Sequence, residues 1–246
     1  MKLSIIMVSL ISNDFRKKIA ERAIKHLIDY SKNFEFIYID NSLKEYELED
    51  KSNIDIYIKN KENIGITAAF NQGYKLSSGD IILFVDNDID IKKDWQENAF
   101  KKLEKYDAVS LIEVKDFDKF QNNEINITED KFPFYHDSCW LIKRKVFKKI
   151  GLLDEKIFCY NEGLDFFIRM CNEGLKSAVI SNVFHWHLHS ELPYIKIEIK
   201  EKDIKYVKQK WGIFSNTEGI NLAIKNYAKN RQEKDCPGSD AIFAYL

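Results

Sequence analysis

The sequence has no excess charge of either sign: 38 Lys and Arg stand against 39 Asp and Glu in 246 residues, a formal net charge of -1. Such a balance supplies no long-range field for generic binding to nucleic acid or an anionic membrane, so any partner of that kind needs a local patch. Cysteine is scarce too. Cys139, Cys159, Cys171 and Cys236 form no CxxC pair, which excludes a zinc ribbon, a thioredoxin-type centre and a disulfide framework, and points to a reducing compartment. No apolar run approaches the roughly 20 residues that a membrane helix needs. The opening MKLSIIMVSLISNDF has an apolar run of only about eight residues and no small-residue cleavage site, so it reads as a first strand rather than a signal peptide. The expectation is a cytoplasmic protein. Internal repeats and low-complexity linkers are absent, as are GxGxxG and GxxxxGK[ST], so neither a Rossmann nor a P-loop nucleotide site follows.

What is present is a globular pattern, 45% hydrophobic and 13% aromatic, enough to bury a sizeable core. The first half alternates strand-like apolar runs (3–10, 34–40, 54–58, 81–85) with segments of helical spacing (16–30, 66–76, 94–106). That alternation predicts an α/β fold with a mostly parallel sheet flanked by helices. After a strand at 108–114, the polar segment 115–132 reads as a surface loop or insertion. A strand at 138–143, a helix closed by Gly151, a helix over 162–173 closed by Gly174, and strands through 176–189 follow. Two amphipathic helices and a tail complete the chain from about residue 199.

Ligands of parallel sheets sit at the carboxyl ends of the strands. GDIILFVDNDID (79–90) runs an apolar strand straight into Asp86, Asn87 and Asp88 at such an end, and Asp40 ends its own run in the same way. If the chain stays extended, Asp86 and Asp88 point one way and Asn87 the other. Two carboxylates side by side attract a hard divalent cation that keeps positions open for phosphate oxygens. The bland reading is a solvated turn; the place after a buried strand favours a site. In FHWHLHS, His185, His187 and His189 alternate and so share one face of an extended strand, a pattern suited to a metal ligand or a proton relay. In YNEGLDFFIRM, Glu162 and Asp165 share a helix face, and Asp165 can pair with Arg169 one turn on. Glu162 has no such intrahelical cation and is the better carboxylate for proton abstraction. NIGITAAFNQGY (63–74) joins a Gly-containing turn to a helix start, where backbone N–H groups can meet phosphate or a sugar hydroxyl.

In order and spacing, YIDNS (38–42), NIGITAAFNQGY, SGDIILFVDNDI (78–89), SCWLIKRKVFKKIGLLDEKIF (138–158), NEGLDFFIRM (161–170) and FHWHLHS (184–190) resemble the family 2 glycosyltransferases of GT-A fold. The resemblance runs from residue 3 to about residue 190, and YVKQKWG (206–212) looks like the C-terminal part of some members. It implies a catalytic domain over 1–190 with a helical extension, 191–246, packed on it. It also implies a nucleoside-diphosphate-sugar donor held by Ser9, Asp40, Asn63, Gly65, Asn71, Asp86 and Asn87, with Asp40 at the nucleoside base. Asp86 and Asp88 match the metal motif for Mn²⁺ or Mg²⁺, and His185 matches the histidine that completes it, since Ser190 follows five residues later; His187 is the alternate. Gly163 stands where many members carry aspartate, whereas rhamnosyltransferase-like members keep a single acid at the position of Glu162. The catalytic base implied is therefore Glu162, with Asp165 second.

The reaction implied is inverting, metal-dependent transfer of a sugar from a UDP- or dTDP-linked donor to an acceptor hydroxyl. A glycan, a lipid-linked sugar, a protein or a modified nucleic-acid base would each serve as acceptor. Three rivals differ in class. A nucleotidyltransferase would carry a Gly-rich signature with a basic residue near its first strand, and MVSLISNDF has none. A haloacid-dehalogenase-like phosphatase places DxDx[TV] on its first strand, whereas the motif here lies on the fourth. A non-catalytic sugar-nucleotide-binding protein would account for Gly163 and is separated from an enzyme by product formation.

Overall fold

The computed structural model describes residues 1–43, 46, 48–123, 129–130, 138–188 and 197–231. Eight strands form one sheet in the order β3-β2-β1-β4-β7-β6-β8-β5. Its first half is parallel: β1 (Leu3–Ser9) pairs with β2 (Phe34–Asp40) and β4 (Ile81–Asp86), and β2 pairs with β3 (Ile56–Lys59). The second half is mixed. β7 (Cys139–Lys143) runs antiparallel to β4 and to β6 (Ala108–Val114), β6 is parallel to β8 (Ser177–His187), and β5 (Ile89–Ile91) closes the edge antiparallel to β8. The fold is α/β as the alternation predicts, with four parallel pairings and three antiparallel ones.

The central strands are apolar on both faces because both are covered. Leu3, Ile5 and Met7 of β1 point to α1 (Asp14–Asp29) and α3 (Trp95–Leu103), against Ala20, Ala23, Leu27 and Trp95. The alternate residues Ile6 and Val8 pack on the opposite side with α2 (Ile66–Leu76), α5 (Arg144–Ile150) and α6 (Glu162–Asn172), where Phe70, Phe84, Phe147 and Phe166 form the centre. Burying a side chain of this size contributes about 1.5–3 kcal/mol. α2 lies so close to β1 that a Cβ on Gly73 would overlap Ile6. α5 ends as its sequence predicts, at Gly151 with a φ of 80°.

Two elements lie where the sequence predicts none. Within the polar segment, α4 (Phe117–Asn122) is capped by Asp116, whose side chain accepts from the Lys119 N–H, and it buries Phe120 against Val114 and Trp186. β5 follows Asp88 directly, so the chain turns at 87–88 instead of continuing extended. β8 is one strand with a register shift opposite Leu111 and Ile112, and Asn182 within that excursion has a φ of 62°. α7 (Ile197–Trp211) and α8 (Asn216–Arg231) cover α6: Val207, Ile220, Ala223 and Tyr227 close over Leu164, Phe167 and Ile168. His189, Ser190 and the tail after 231 lie outside the described residues, as do 124–128 and 131–137 of the polar segment.

Candidate active site

The parallel register aligns the carboxyl ends of three strands. Ser9 sits opposite Asp40, and Val8 opposite Asp86, so Ser9, Asp40 and Asp86 share one edge of the sheet. The Asn87 amide donates to Ser9 Oγ at 2.8 Å, which fastens the turn after β4 to the end of β1. Asp40 is buried. Its Oδ1 accepts from the Ser42 N–H at 2.8 Å, while Oδ2 accepts from the Tyr57 hydroxyl at 2.8 Å and from Lys59 Nζ at 3.0 Å. Three of about four acceptor positions on that carboxylate are therefore in use.

At the turn, Asp86, Asp88 and His187 each bring a ligand atom within 4.8 Å of the others, the group among the described residues able to hold a metal ion. His187 Nε2 lies 3.1 Å from Asp88 Oδ1 and 4.0 Å from Asp86 Oδ2, and its Nδ1 lies 3.2 Å from Glu113 Oε2. Burial alone would lower the His187 pKa, but hydrogen bonds to Asp88 and Glu113 and the nearby Asp86 charge outweigh it and push it up to about 10. Without a cation, an imidazolium thus balances the carboxylates. Two carboxylates, an imidazole and a turn at the sheet edge make a donor set that fits a divalent metal with mixed oxygen and nitrogen ligands.

The segment 63–74 builds the wall beside this edge. Asn63 Oδ1 accepts from the Gly65 N–H at 3.0 Å, and Gly65 has a φ of 85° with Phe158 packed so closely that a Cβ would lie 2.6 Å from the Phe158 carbonyl oxygen. That same carbonyl accepts from the Ile66 N–H at 2.8 Å. The N-termini of α2 and α6 are thereby brought to the same edge, because Phe158 stands four residues before Glu162. Asp203 of α7 holds the other side of this link: its Oδ2 accepts from the N–H groups of Phe158, Cys159 and Tyr160 at 3.1, 2.8 and 3.2 Å. Glu162, 4% exposed, opens α6 behind Asn161, which adopts a left-handed conformation and exchanges amide hydrogen bonds with Asn216.

A family model, "Glycosyl transferase family 2", matches residues 4–151, more than half of the 246. The chain belongs to that family. It is a glycosyltransferase. No curated protein matches the sequence significantly. Among solved structures it is similar to the mannosyltransferase PcManGT from Pyrobaculum calidifontis in complex with GDP-Man and Mn²⁺, at 14% identity and a TM-score of 0.60 over 96% of this chain and 76% of that one. GalNAc-T7 with UDP, GalNAc and Mn²⁺ is 13% identical with a TM-score of 0.66, and there the family 2 chain covers 96% of itself but 52% of the neighbour. S. aureus TarS 1-349 in complex with UDP is 14% identical with a TM-score of 0.54 over 94% and 81%. At these identities the likeness is one of fold, the GT-A fold.

In this glycosyltransferase the histidine at the acidic pair is not the one that the spacing to Ser190 favours. His185 is fully buried, with Nε2 2.8 Å from Ser138 Oγ, and the structure does not bring it to Asp86 and Asp88. The reason is register. His187 pairs with Ile89, the first residue after the turn, and His185 pairs with Ile91, one pleat farther from it. Asp86 and Asp88 meet across the turn at 87–88 and not by extended alternation. Asn71, expected beside the nucleotide-sugar, has an amide that bridges both backbone groups of Leu153 and donates to Glu155, so it clamps α2 to the segment after α5. Asp165 is fully buried and accepts from Arg169, Trp211 Nε1 and Lys210 at 3.0, 2.9 and 2.6 Å. Burial pulls the Lys210 pKa down, yet its bonds to Asp154 and Asp165 keep it above the ordinary value. Its carboxylate thus ties α6 to Lys210 and Trp211 of α7. Glu113 escaped the sequence reading, although a lone acid within AVSLIEV, an otherwise apolar strand apart from Ser110, is a visible signal.

Proposed function

We propose that this glycosyltransferase moves a sugar from a UDP- or dTDP-linked donor to an acceptor hydroxyl with inversion at the anomeric carbon. The observation that carries the reading is the meeting of Asp86, Asp88 and His187 beside Ser9 and Asp40 at the carboxyl edge of a GT-A sheet. The Mn²⁺ and nucleotide or nucleotide-sugar named with PcManGT and GalNAc-T7 support the same assignment. An imidazole in the ligand set favours Mn²⁺ over Mg²⁺, which prefers oxygen ligands alone. A bound divalent ion supplies positive charge to the departing nucleoside diphosphate as a Lewis acid and template. Asp86, Asp88 and His187 would hold it, with Asn87 fixing the turn on Ser9.

Asp40 offers its remaining acceptor position to a ring N–H of the base, as uracil and thymine both present. Gly65 and Asn63 shape the turn that flanks the donor. Glu162 takes the acceptor's hydroxyl proton while the acceptor oxygen forms the new bond to the anomeric carbon and the carbon–phosphate-oxygen bond breaks, its electron pair leaving with the diphosphate. A base so placed contributes about 10²–10⁴-fold in rate. Asp165 keeps α6 and α7 in register rather than receiving that proton.

Calorimetric titration with UDP, dTDP and GDP, each with Mn²⁺ and with excess EDTA, is the test. Metal-dependent binding of UDP or dTDP is expected, with Asp88→Ala abolishing it and Glu162→Gln keeping binding while transfer falls by at least about 10²-fold. A folded sample that binds neither UDP nor dTDP with Mn²⁺ would overturn the reading, and binding of GDP alone would overturn the donor assignment. Full transfer by Glu162→Gln would remove the base assignment alone.

A further inference from the structure

We propose that Glu113 is a positioning residue that fixes the His187 imidazole with Nε2 turned toward Asp86 and Asp88. The inference rests on the reading of His187 as a metal ligand. Glu113 lies on β6, every residue of which is buried, and a carboxylate there needs a polar partner to offset its desolvation. Its Oε2 lies 3.2 Å from His187 Nδ1, on the side of the ring away from the acidic pair, and Glu113 is not among the residues whose ligand atoms gather within 4.8 Å. An Nδ1–H donated to Glu113 keeps Nε2 on the side of Asp88, 3.1 Å away, so that a metal replacing the Nε2 proton would meet the lone pair there.

The register of the sheet makes this meeting. β6 and β8 pair evenly up to Leu111 and Ile180, then resume at Ile112 and Phe184, so three residues, 181–183, stand outside the ladder. After the shift Glu113 pairs with His185 and reaches His187 two residues on, on the same face of the strand. Without the shift, Glu113 would stand opposite Asn182 and be separated from the metal group by several residues. Ser181 secures the excursion: its N–H and hydroxyl both donate to Asp130 at 2.8 Å. Neither Glu113 nor the excursion contributes a ligand atom. Both determine where a ligand atom points.

The test is Mn²⁺ titration followed by the electron paramagnetic resonance signal of free Mn²⁺, with no nucleotide or sugar present. Wild type is compared with Glu113→Ala, Glu113→Gln and His187→Ala, and thermal unfolding verifies that each variant is folded. Glu113→Ala is expected to weaken Mn²⁺ binding by about 10–100-fold. Glu113→Gln keeps an acceptor oxygen for Nδ1–H and should recover part of that loss, a graded response that general loosening of β6 would not produce. Wild-type affinity in Glu113→Ala together with weak binding in His187→Ala overturns the positioning role and leaves the ligand reading intact. Wild-type affinity in His187→Ala overturns the ligand reading and the inference with it. Should Glu113→Ala fail to fold, Glu113→Leu, which keeps the volume and removes the acceptor, decides: an affinity equal to wild type counts against the role, and a loss of about 10–100-fold supports it.

Discussion

At the sheet edge opposite the candidate site, Glu35 on β2 accepts from Lys2 Nζ, the Ser4 hydroxyl and the Ser78 N–H and hydroxyl, joining the starts of β1, β2 and β4. Burial alone would raise its pKa, but these donors outweigh it and bring the value from 4.5 to about 2. Because the folded value is depressed, the stability it contributes is complete above the unfolded value near 4.5 and is lost as pH falls toward about 2. Glu35→Gln, which mimics the protonated acid, should cost about 1–2 kcal/mol at pH 7, less than the full shift because water screens these partly exposed donors, and almost nothing near pH 2. Urea midpoints of both proteins across that range check it; a gap independent of pH would sink the linkage. Glu35 shows a limit of reading single residues: nothing in FEFIYID reveals that Lys2 and Ser78 converge on its acid. The same holds at the metal group. Asp86 and Asp88 were legible because both follow one apolar run, whereas the choice between His185 and His187 depends on pairing with β5, a three-residue strand too short to carry a period.

Elements whose signals are local were read well. β2 and α2 span 34–40 and 66–76 as their spacing predicts, and α5 stops at Gly151. α4 and the β8 excursion were not, since one is a six-residue helix in a polar segment and the other is a departure from pairing that the strand's composition does not reveal. The link from α7 to the loop before Glu162 is likewise tertiary. Asp203, buried, gathers three consecutive N–H groups of 158–160, and one carboxylate oxygen there replaces water for all three. Removing it leaves these half-buried donors without their acceptor, at about 1–3 kcal/mol for each that water cannot reach. Asp203→Ala should therefore destabilise the protein by a few kcal/mol, speed amide exchange in 158–162, and lower kcat for transfer with Mn²⁺ affinity unchanged, because Asp86, Asp88 and His187 lie on other elements. Millimolar formate should restore part of the rate by filling the vacated position. Unchanged exchange and kcat in the variant would show that the loop holds its shape without α7.

Over the whole molecule, the family match ends at residue 151, yet the parts of the candidate site fall on both sides of that point. Asp86, Asp88 and Glu113 precede it; Glu162 and His187 follow it. The helices after 196 add no residue to the metal group but cover α6 and the segment before it, where Ile157, Leu164, Phe167, Ile168 and Cys171 are fully buried against Val207, Ile220, Ala223 and Tyr227. Asp165 ties the same layers through Trp211 and Lys210. Exposing even four large apolar side chains at about 1.5–3 kcal/mol each is comparable to the 5–15 kcal/mol that holds a typical domain together. Ending the chain at residue 196 would also strip Asp165 of Lys210 and the Trp211 indole, leaving a buried carboxylate with Arg169 as its remaining cation. We therefore expect the 1–196 fragment not to unfold as an independent cooperative unit: it should lack a sharp thermal transition and expose apolar surface to a fluorescent dye. The full chain should show one transition reported alike by far-UV and near-UV circular dichroism. A fragment with its own sharp transition and wild-type Mn²⁺ affinity would mean that α7 and α8 form an appendage on a catalytic domain that stands without them.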